Sequence, residues 1–528
     1  MASTGRHHLL FTLFALAAAF AITRWTVAGP GFTDAFYHLN AANRLVTGQG
    51  LTDPYLWTYI AAPASLPAPS HLYWMPLTSL CAALGMWVVN APGDYAAAQW
   101  PFTLLYAAVA GCGFSLGRRL GGTWRHAWVA GMVTLFSGYY LRFWGTIDTF
   151  APYGLAGALC LIGVGQALTG TPRWRWLGWA LAGLGAGLGH LARADGLLLL
   201  LTGWAAALWF WDRGWRVRLP GAALMTLVYG LVMLPWWVRN LQAIGTPLPL
   251  GGAQAVWFTE YDDLFNYPPD ASPQILFADG AGTFFKTRWE AFAGPSGLLS
   301  GNLGTFIAVE GLIVMTPLML VGLWRRRREP FLRAFWLYAL GLHLVMTLVF
   351  PFPGYRGGLF HSAAALVPWW AALGVVGLDD VVQAAARRRR TWRPAVAQRV
   401  FAAALVFVAV GLSLTIALPN RVPAQSAGAV YRELVARLPA DARVMINDPA
   451  QLYYFTGLGG VVLPNETSDV IPEIARRYTV GYLLLEGVAG SGQAAAPESL
   501  WSILDAPPPF LEPLPFPVPD VRLYAIRP

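Results

Sequence analysis

Charge is scarce in this 528-residue chain: 12% of residues are Asp, Glu, Lys or Arg, against 56% hydrophobic residues. A soluble chain of this length needs far more polar surface, so the composition, with a mean hydropathy of +0.48, is that of a polytopic membrane protein. Lysine is almost absent, Lys286 being the only one, and the net charge of +9 rests on arginine. Those arginines fall in short clusters between apolar runs, which is the pattern of membrane anchoring loops and not of a nucleic-acid face. The three cysteines, Cys81, Cys112 and Cys160, lie in apolar segments without metal-ligand spacing, excluding a disulfide framework and a zinc site. No GxGxxG, Walker loop, Cys/His cluster or GxSxG elbow stands in a supporting context, and no internal repeat is found.

What is present is a succession of apolar runs of the ~20 residues that cross a bilayer. They fall near 9–29, 98–117, 124–143, 151–169, 176–192, 194–211, 219–237, 303–324, 332–350, 361–378 and 399–418, predicting about eleven membrane helices. The first begins after Arg6 like a signal peptide, but runs to Ala28 without a clear cleavage site and is read as an uncleaved helix. Arg118, Arg119 and Arg125, then Arg173 and Arg175, then Arg213, Arg216 and Arg218, then Arg325 to Arg328, then Arg387 to Arg390 occupy alternate connections. The positive-inside rule places all of these and the N-terminus in the cytoplasm. Residues 30–97, 144–150, 193–195, 238–302, 351–360 and the tail then face outward. Segment 72–90 is apolar enough to cross, but crossing would turn every later cluster outward, so it is read as an interfacial or re-entrant helix. Residues 1–419 form the membrane part, and 420–528 a small extracytoplasmic α/β domain. Strands are expected at 443–447, 480–485 and 521–526, and a helix at 469–478.

Several polar groups gather at the outer boundary. Asp34 opens the first external loop in Thr33-Asp34-Ala35-Phe36-Tyr37-His38, with Tyr37 and His38 at i+3 and i+4 on the same helix face. Thr33 also suits an N-cap, and Asp34 a first-turn acid favoured by the helix dipole. Asp148 lies in a short second outer connection, as a partner carboxylate or a solvated loop charge. Arg193 and Asp195 sit in a tight outer turn, where ionisable groups are costly unless paired or functional. Arg239-Asn240 follows Trp236-Trp237 at the end of a span, and Tyr355-Arg356-Gly357-Gly358 precedes His361 in another outer loop. Arginine presents a planar fork of donors suited to phosphate, although Arg239 also fits a snorkelling anchor. His71, Tyr73 and Trp74 begin the interfacial segment, either as an aromatic belt or as a surface for stacking on a sugar.

Together these residues resemble the membrane glycosyltransferases of the GT-C superfamily, which include protein O-mannosyltransferases, the lipid A aminoarabinose transferase and the catalytic subunit of oligosaccharyltransferase. Thr33 to Tyr37 is similar to the first-loop acid motif, and Asp148 to the second-loop acid. Pro69 to Pro76 resembles the "P-P-x-Y" start of a first-loop helix, departing from it at His71 and Trp74. Arg193-Ala194-Asp195-Gly196 looks like the "R-x-[DE]-G" turn, and Trp237-Val238-Arg239-Asn240 like the "W-x-R-N" span end. The resemblance covers roughly residues 9–420. It implies a cell-envelope, multi-pass enzyme that transfers a hexose or pentose from a polyprenyl-phosphate donor lying in membrane lipid to an extracytoplasmic acceptor, with inversion. It further implies Asp34 as base, Arg239, Arg356 or Arg193 on the departing phosphate, and His38 or His361 orienting acceptor or phosphate. The "D-x-E" metal pair and "WWD" motif of oligosaccharyltransferases are missing, so neither a divalent metal nor Asn-glycosylation is carried over. Acceptor choice is assigned to the 238–302 loop, with Trp257, Glu260, Asp262, Asp263 and Trp289, and to the C-terminal domain. A transporter or flippase is the other class considered; matching broken spans in two halves, which it would favour, are not seen.

Overall fold

The computed structural model describes residues 2–209, 214–249, 251–278, 280–389, 391–486 and 497–527; Arg213 and Arg390 lie outside the described residues. The chain is mostly helical. Among the described residues, seven helices are long and apolar enough to cross a membrane: Gly5–Thr26, Tyr95–Gly121, Phe150–Thr169, Trp215–Ile244, Pro330–Val349, Pro351–Arg388 and Pro394–Ala417. Phe150–Thr169 and Pro172–Ala192 pack most closely, because glycines line both faces. A Cβ on Gly178 would stand 2.6 Å from the Gly163 carbonyl, and one on Gly185 2.6 Å from that of Ala156. Small residues let backbones approach where lipid supplies no hydrophobic drive.

Four expected spans fall outside these seven: 176–192 folds as Pro172–Ala192, 194–211 as the shorter apolar helix Ala194–Leu208, and two others are interrupted. Segment 124–143 is a helix only over Trp124–Leu135 and again over Tyr140–Phe143. Gly138 at φ 64° turns the chain between them. Segment 303–324 is also interrupted, by a wide π turn at Thr305–Glu310 and by Leu312 and Ile313 at φ 48° and 59°. The interruption seats the buried Glu310 carboxylate against His343 Nε2 at 2.9 Å and Trp370 Nε1 at 2.8 Å. Pro317, which offers no backbone N–H, then opens Thr316–Arg326. The run expected over 219–237 extends as helix to Ile244, so the long loop begins beyond it. Segment 72–90 folds as the 13-residue helix Leu77–Val89. At ~1.5 Å per residue its length is about 20 Å, short of the ~30 Å apolar thickness of a bilayer. Trp87 and Val88 are its most exposed apolar side chains.

At one end of the helices lies a six-stranded sheet. Its order is Tyr55–Leu56, Gly459–Val462, Arg443–Ile446, Tyr482–Glu486, Val521–Ile526 and Leu511–Leu514. The first four strands are parallel and the last two pair antiparallel. Strand alternation sends Leu483 and Leu485 to one core with Ile471 and Ile474, and Leu484 to another with Tyr431 and Leu434. Helix Ile471–Tyr478 buries Ile471, Ile474, Ala475 and Tyr478, spaced for one helical face. The edge strand comes from the first long loop: Tyr55 pairs with Gly460 and Leu56 with Val461. Residues 420–528 therefore do not build this sheet alone. The strand welds the segment following Asp34 to the C-terminal part.

Candidate active site

Asp34 stands in the first turn of helix Thr33–Val46. The Thr33 hydroxyl does not cap that helix; it donates to Asp448 Oδ2 at 2.7 Å, and Phe32 holds the cap position without a side-chain bond. The helix start is thus tethered to the C-terminal sheet. Asp148 lies just before Phe150–Thr169, its carboxylate accepting from the Thr149 N–H. His361 reaches both acids from the turn after Pro351. Its Nε2 lies 3.1 Å from Asp148 Oδ2 and 3.9 Å from Asp34 Oδ2. Its Nδ1 donates to the Gly357 carbonyl at 2.8 Å, and its ring stacks on Phe150 with centroids 4.1 Å apart. Gly357, at φ 130°, provides the backbone turn that brings this carbonyl round, in a region L side chains rarely adopt.

The two acids differ in access. The Asp34 side chain is 29% exposed and that of Asp148 1% exposed. Burial, then repulsion from Asp148, raises Asp34 to about 6, against opposing pulls from His361, Arg193 and Trp74. Burial would raise Asp148 as well, but its bond and attraction to His361 outweigh this and hold it below the usual carboxylate range. One carboxylate is open and basic, and the other is closed and committed to a histidine.

Asp34, Asp148 and His361 each offer a ligand atom, and these atoms lie within 4.8 Å of one another. Two carboxylates and an imidazole suit a divalent cation, and the Gly357 carbonyl fixes the His361 tautomer as an outer partner does in metal sites. Asp148 Oδ2, at 3.1 Å, is within hydrogen-bond reach of Nε2, and Asp34 Oδ2, at 3.9 Å, is not.

Arg193 and Asp195 form the expected local pair, Nε to Oδ1 at 3.0 Å. Ser362 completes it, accepting from Arg193 at 2.9 Å and donating to Asp195. Since Ser362 adjoins His361, the guanidinium is fixed beside the acids. Tyr73 faces the same place, between Trp57 and Trp74 at 5.3 Å from each ring. Arg356 is exposed, its guanidinium 4.8 Å above the Tyr261 ring, and it makes no ion pair among the described residues. Tyr355 packs beside Phe352, ring centres 6.3 Å apart.

Other expected residues point into the protein. The Tyr37 hydroxyl donates to Asp53 Oδ2 at 2.8 Å and accepts from the His71 N–H at 2.6 Å, while its ring stacks on Trp74 at 4.1 Å. His38 Nδ1 and His71 Nε2 each lie 2.9 Å from Ser79 Oγ. Burial pulls His38 down to about 4, so its neutral ring is a spacer between helices. The shared helix face predicted for Asp34, Tyr37 and His38 thus divides: Asp34 looks out, and the other two lock the first loop. Arg239 is held by the Leu51 carbonyl at 3.0 Å and Asn240 Oδ1 at 2.9 Å, over the Trp236 ring. Asn240 is buried and donates to the Pro247 carbonyl at 3.2 Å. Both brace the loops and stand apart from the acid cluster.

Sequence reasoning missed Asp53, Ser79, Ser362 and Asp448. Asp53, raised to about 7 chiefly by burial, follows Thr52 in an unremarkable turn sequence. Only long-range contacts give these residues a role.

No family model matches the chain. A stretch of 79 residues, 15% of the chain, is 42% identical to the undecaprenyl phosphate-alpha-4-amino-4-deoxy-L-arabinose arabinosyl transferase of Pseudomonas paraeruginosa, and spans 14% of that protein's length. The fold is similar over 98% of the chain to ArnT from Cupriavidus metallidurans bound to undecaprenyl phosphate, with TM-score 0.55, 14% identity and 97% of that protein covered. The oligosaccharyltransferase of Archaeoglobus fulgidus gives TM-score 0.62 at 12% identity, over 91% of this chain and 69% of that one. The archaeal oligosaccharyltransferase AglB from Archaeoglobus fulgidus, in complex with an inhibitory peptide and a dolichol-phosphate, gives TM-score 0.60 at 12% identity, covering 90% of this chain and 69% of that one. The chain has the fold of GT-C membrane glycosyltransferases.

Proposed function

We propose that this chain transfers a sugar from a polyprenyl-phosphate donor to a hydroxyl of an extracytoplasmic acceptor, inverting the anomeric centre, with Asp34 as general base. The observation that carries the reading is the convergence of Asp34, Asp148 and His361 from three separate segments, beside the fixed guanidinium of Arg193. In this reading residues 1–419 are the catalytic membrane unit and 420–528 the outer domain, with the arginine clusters in the cytoplasm.

Asp34 takes the proton of the acceptor hydroxyl as its oxygen attacks the anomeric carbon. The bond from that carbon to the phosphate oxygen breaks, and polyprenyl phosphate leaves with the electron pair. Arg356, exposed and without an ion pair among the described residues, and Arg193 meet the charge that grows on the leaving group. Asp148, closed to solvent, positions His361 and through it the base. A divalent cation held by the three donors would add positive charge toward the phosphate.

A wide apolar groove of about 1530 Å³ supports a lipid donor. Its walls include Phe285, Trp289, Phe306, Trp324 and Leu348, together with Arg288, Asn302, Arg325 and Arg327. In this reading a prenyl chain lies in the groove with its phosphate toward the acids. The fold neighbours bound to undecaprenyl phosphate and dolichol-phosphate agree with this reading. The test is release of polyprenyl phosphate from radiolabelled polyprenyl-phosphate sugars by purified protein. Acceptor-dependent release with inverted product supports the proposal; movement of the lipid between leaflets without release contradicts it.

A further inference from the structure

A second cavity, of about 840 Å³, lies between the first loop, the long loop after Ile244 and the C-terminal sheet. Thr33, the neighbour of Asp34, forms part of its wall, as does Trp57, whose ring centre is 4.5 Å from that of Trp74. Among the described residues, five carboxylates line it, Glu260, Asp262, Asp448, Glu486 and Glu498, and no Arg, Lys or His does. Asp448 has partners in the Thr33 hydroxyl and the Gln451 N–H. Glu486 has none: at 9% exposure, at the end of strand Tyr482–Glu486, it makes no hydrogen bond or ion pair among the described residues.

A buried carboxylate without a partner is unfavourable unless a ligand answers it or it takes up a proton. Burial, then repulsion from Asp448, lifts Glu486 to about 7, as expected of a group awaiting a counter-charge. Arg356 meets one wall residue, its guanidinium 4.8 Å above the Tyr261 ring. Trp57 and Tyr261 add aromatic faces of the kind that accept sugar rings and cations.

We infer that this cavity receives the acceptor, and that the acceptor is a hydroxyl compound carrying a protonated amine, which Glu486 and Asp448 hold while its hydroxyl faces Asp34. The inference rests on the proposed transfer reaction for the word acceptor; the recognition of a cationic polyol stands apart from it. Phosphorylated acceptors, repelled by five carboxylates, are excluded from the cavity.

The matched probes are the trimer of glucosamine and the trimer of N-acetylglucosamine, which differ in amine charge. Their binding to full-length protein in detergent is measured by calorimetry at pH 7.5 without donor, for wild type, Glu486→Gln and Glu486→Asp. The expected result is about tenfold tighter binding of the amine trimer to wild type, loss of that preference in Glu486→Gln and its partial return in Glu486→Asp. Equal binding of the two trimers, absence of binding by either, or an unchanged preference in Glu486→Gln overturns the inference. Donor turnover is scored separately. Turnover without amine preference removes this inference alone, and amine preference without turnover removes the transferase reading alone.

Discussion

The Thr33 hydroxyl donates to Asp448 Oδ2 across 415 residues of sequence, one position before the proposed base. The bond ties the helix that presents Asp34 to the loop after strand Arg443–Ile446, so occupation of the sheet-side cavity and the aim of Asp34 are mechanically linked. Thr33→Val and Asp448→Asn are expected to lower kcat each by severalfold and to be non-additive, with a coupling of about 1–2 kcal/mol for a hydrogen bond to a charged group. A double-mutant cycle on transfer rates measures this; strict additivity contradicts the link.

The acid limb of kcat/KM is expected near pH 6, where Asp34 is held by burial and by Asp148. The base form predominates above that pH and is lost below it, so activity falls about tenfold for each unit further down. His361→Gln removes an attraction that lowers the Asp34 value, so its limb moves to higher pH. A pH–rate profile of both proteins tests the sign.

Arg356→Ala is expected to slow transfer about ten- to a hundredfold by removing the free guanidinium from the leaving phosphate. Arg356→Lys restores only part, because an ammonium lacks the planar fork. The same substitutions at Arg239, which donates to the Leu51 carbonyl and to Asn240 Oδ1, act on stability first. Steady-state kinetics beside thermal unfolding separate the two cases.

Gly185→Leu is expected to destabilise the fold by about 2 kcal/mol or more through overpacking. The added carbons meet the Ala156 carbonyl and the Cys160 N–H, each 2.6 Å from a Cβ at this position. Leucine at Gly230, which has open space around it, should be tolerated. Thermal unfolding in detergent compares them.

Local signals predicted some parts of this protein well. The strand Val521–Ile526 has the expected bounds and helix Ile471–Tyr478 lies within the expected one, because their apolar spacing is local. Segment 72–90, expected as a helix that does not cross, holds the 13-residue helix Leu77–Val89. Asp34, Asp148, Arg193 and His361 were legible as polar groups set against apolar spans, where their cost demands a reason. What sequence does not carry is direction. Tyr37 and His38 share the helix of Asp34, yet Asp53 and Ser79, on other segments, decide that they turn inward. The interruption after Thr305 was hidden for the same reason: Glu310 looks unfavourable in an apolar run until His343 and Trp370 are brought beside it. The edge strand Tyr55–Leu56 is two residues long and takes its identity from Gly460 and Val461.

The most direct test of the account is transfer by Asp34→Asn, made with purified protein, radiolabelled polyprenyl-phosphate sugar and acceptor. The substitution keeps the shape of a partly exposed side chain and removes its basicity. The expected result is a fall of about 10²–10⁴ in kcat with donor binding retained. A rate within about twofold of wild type would remove Asp34 from the chemistry and the account with it.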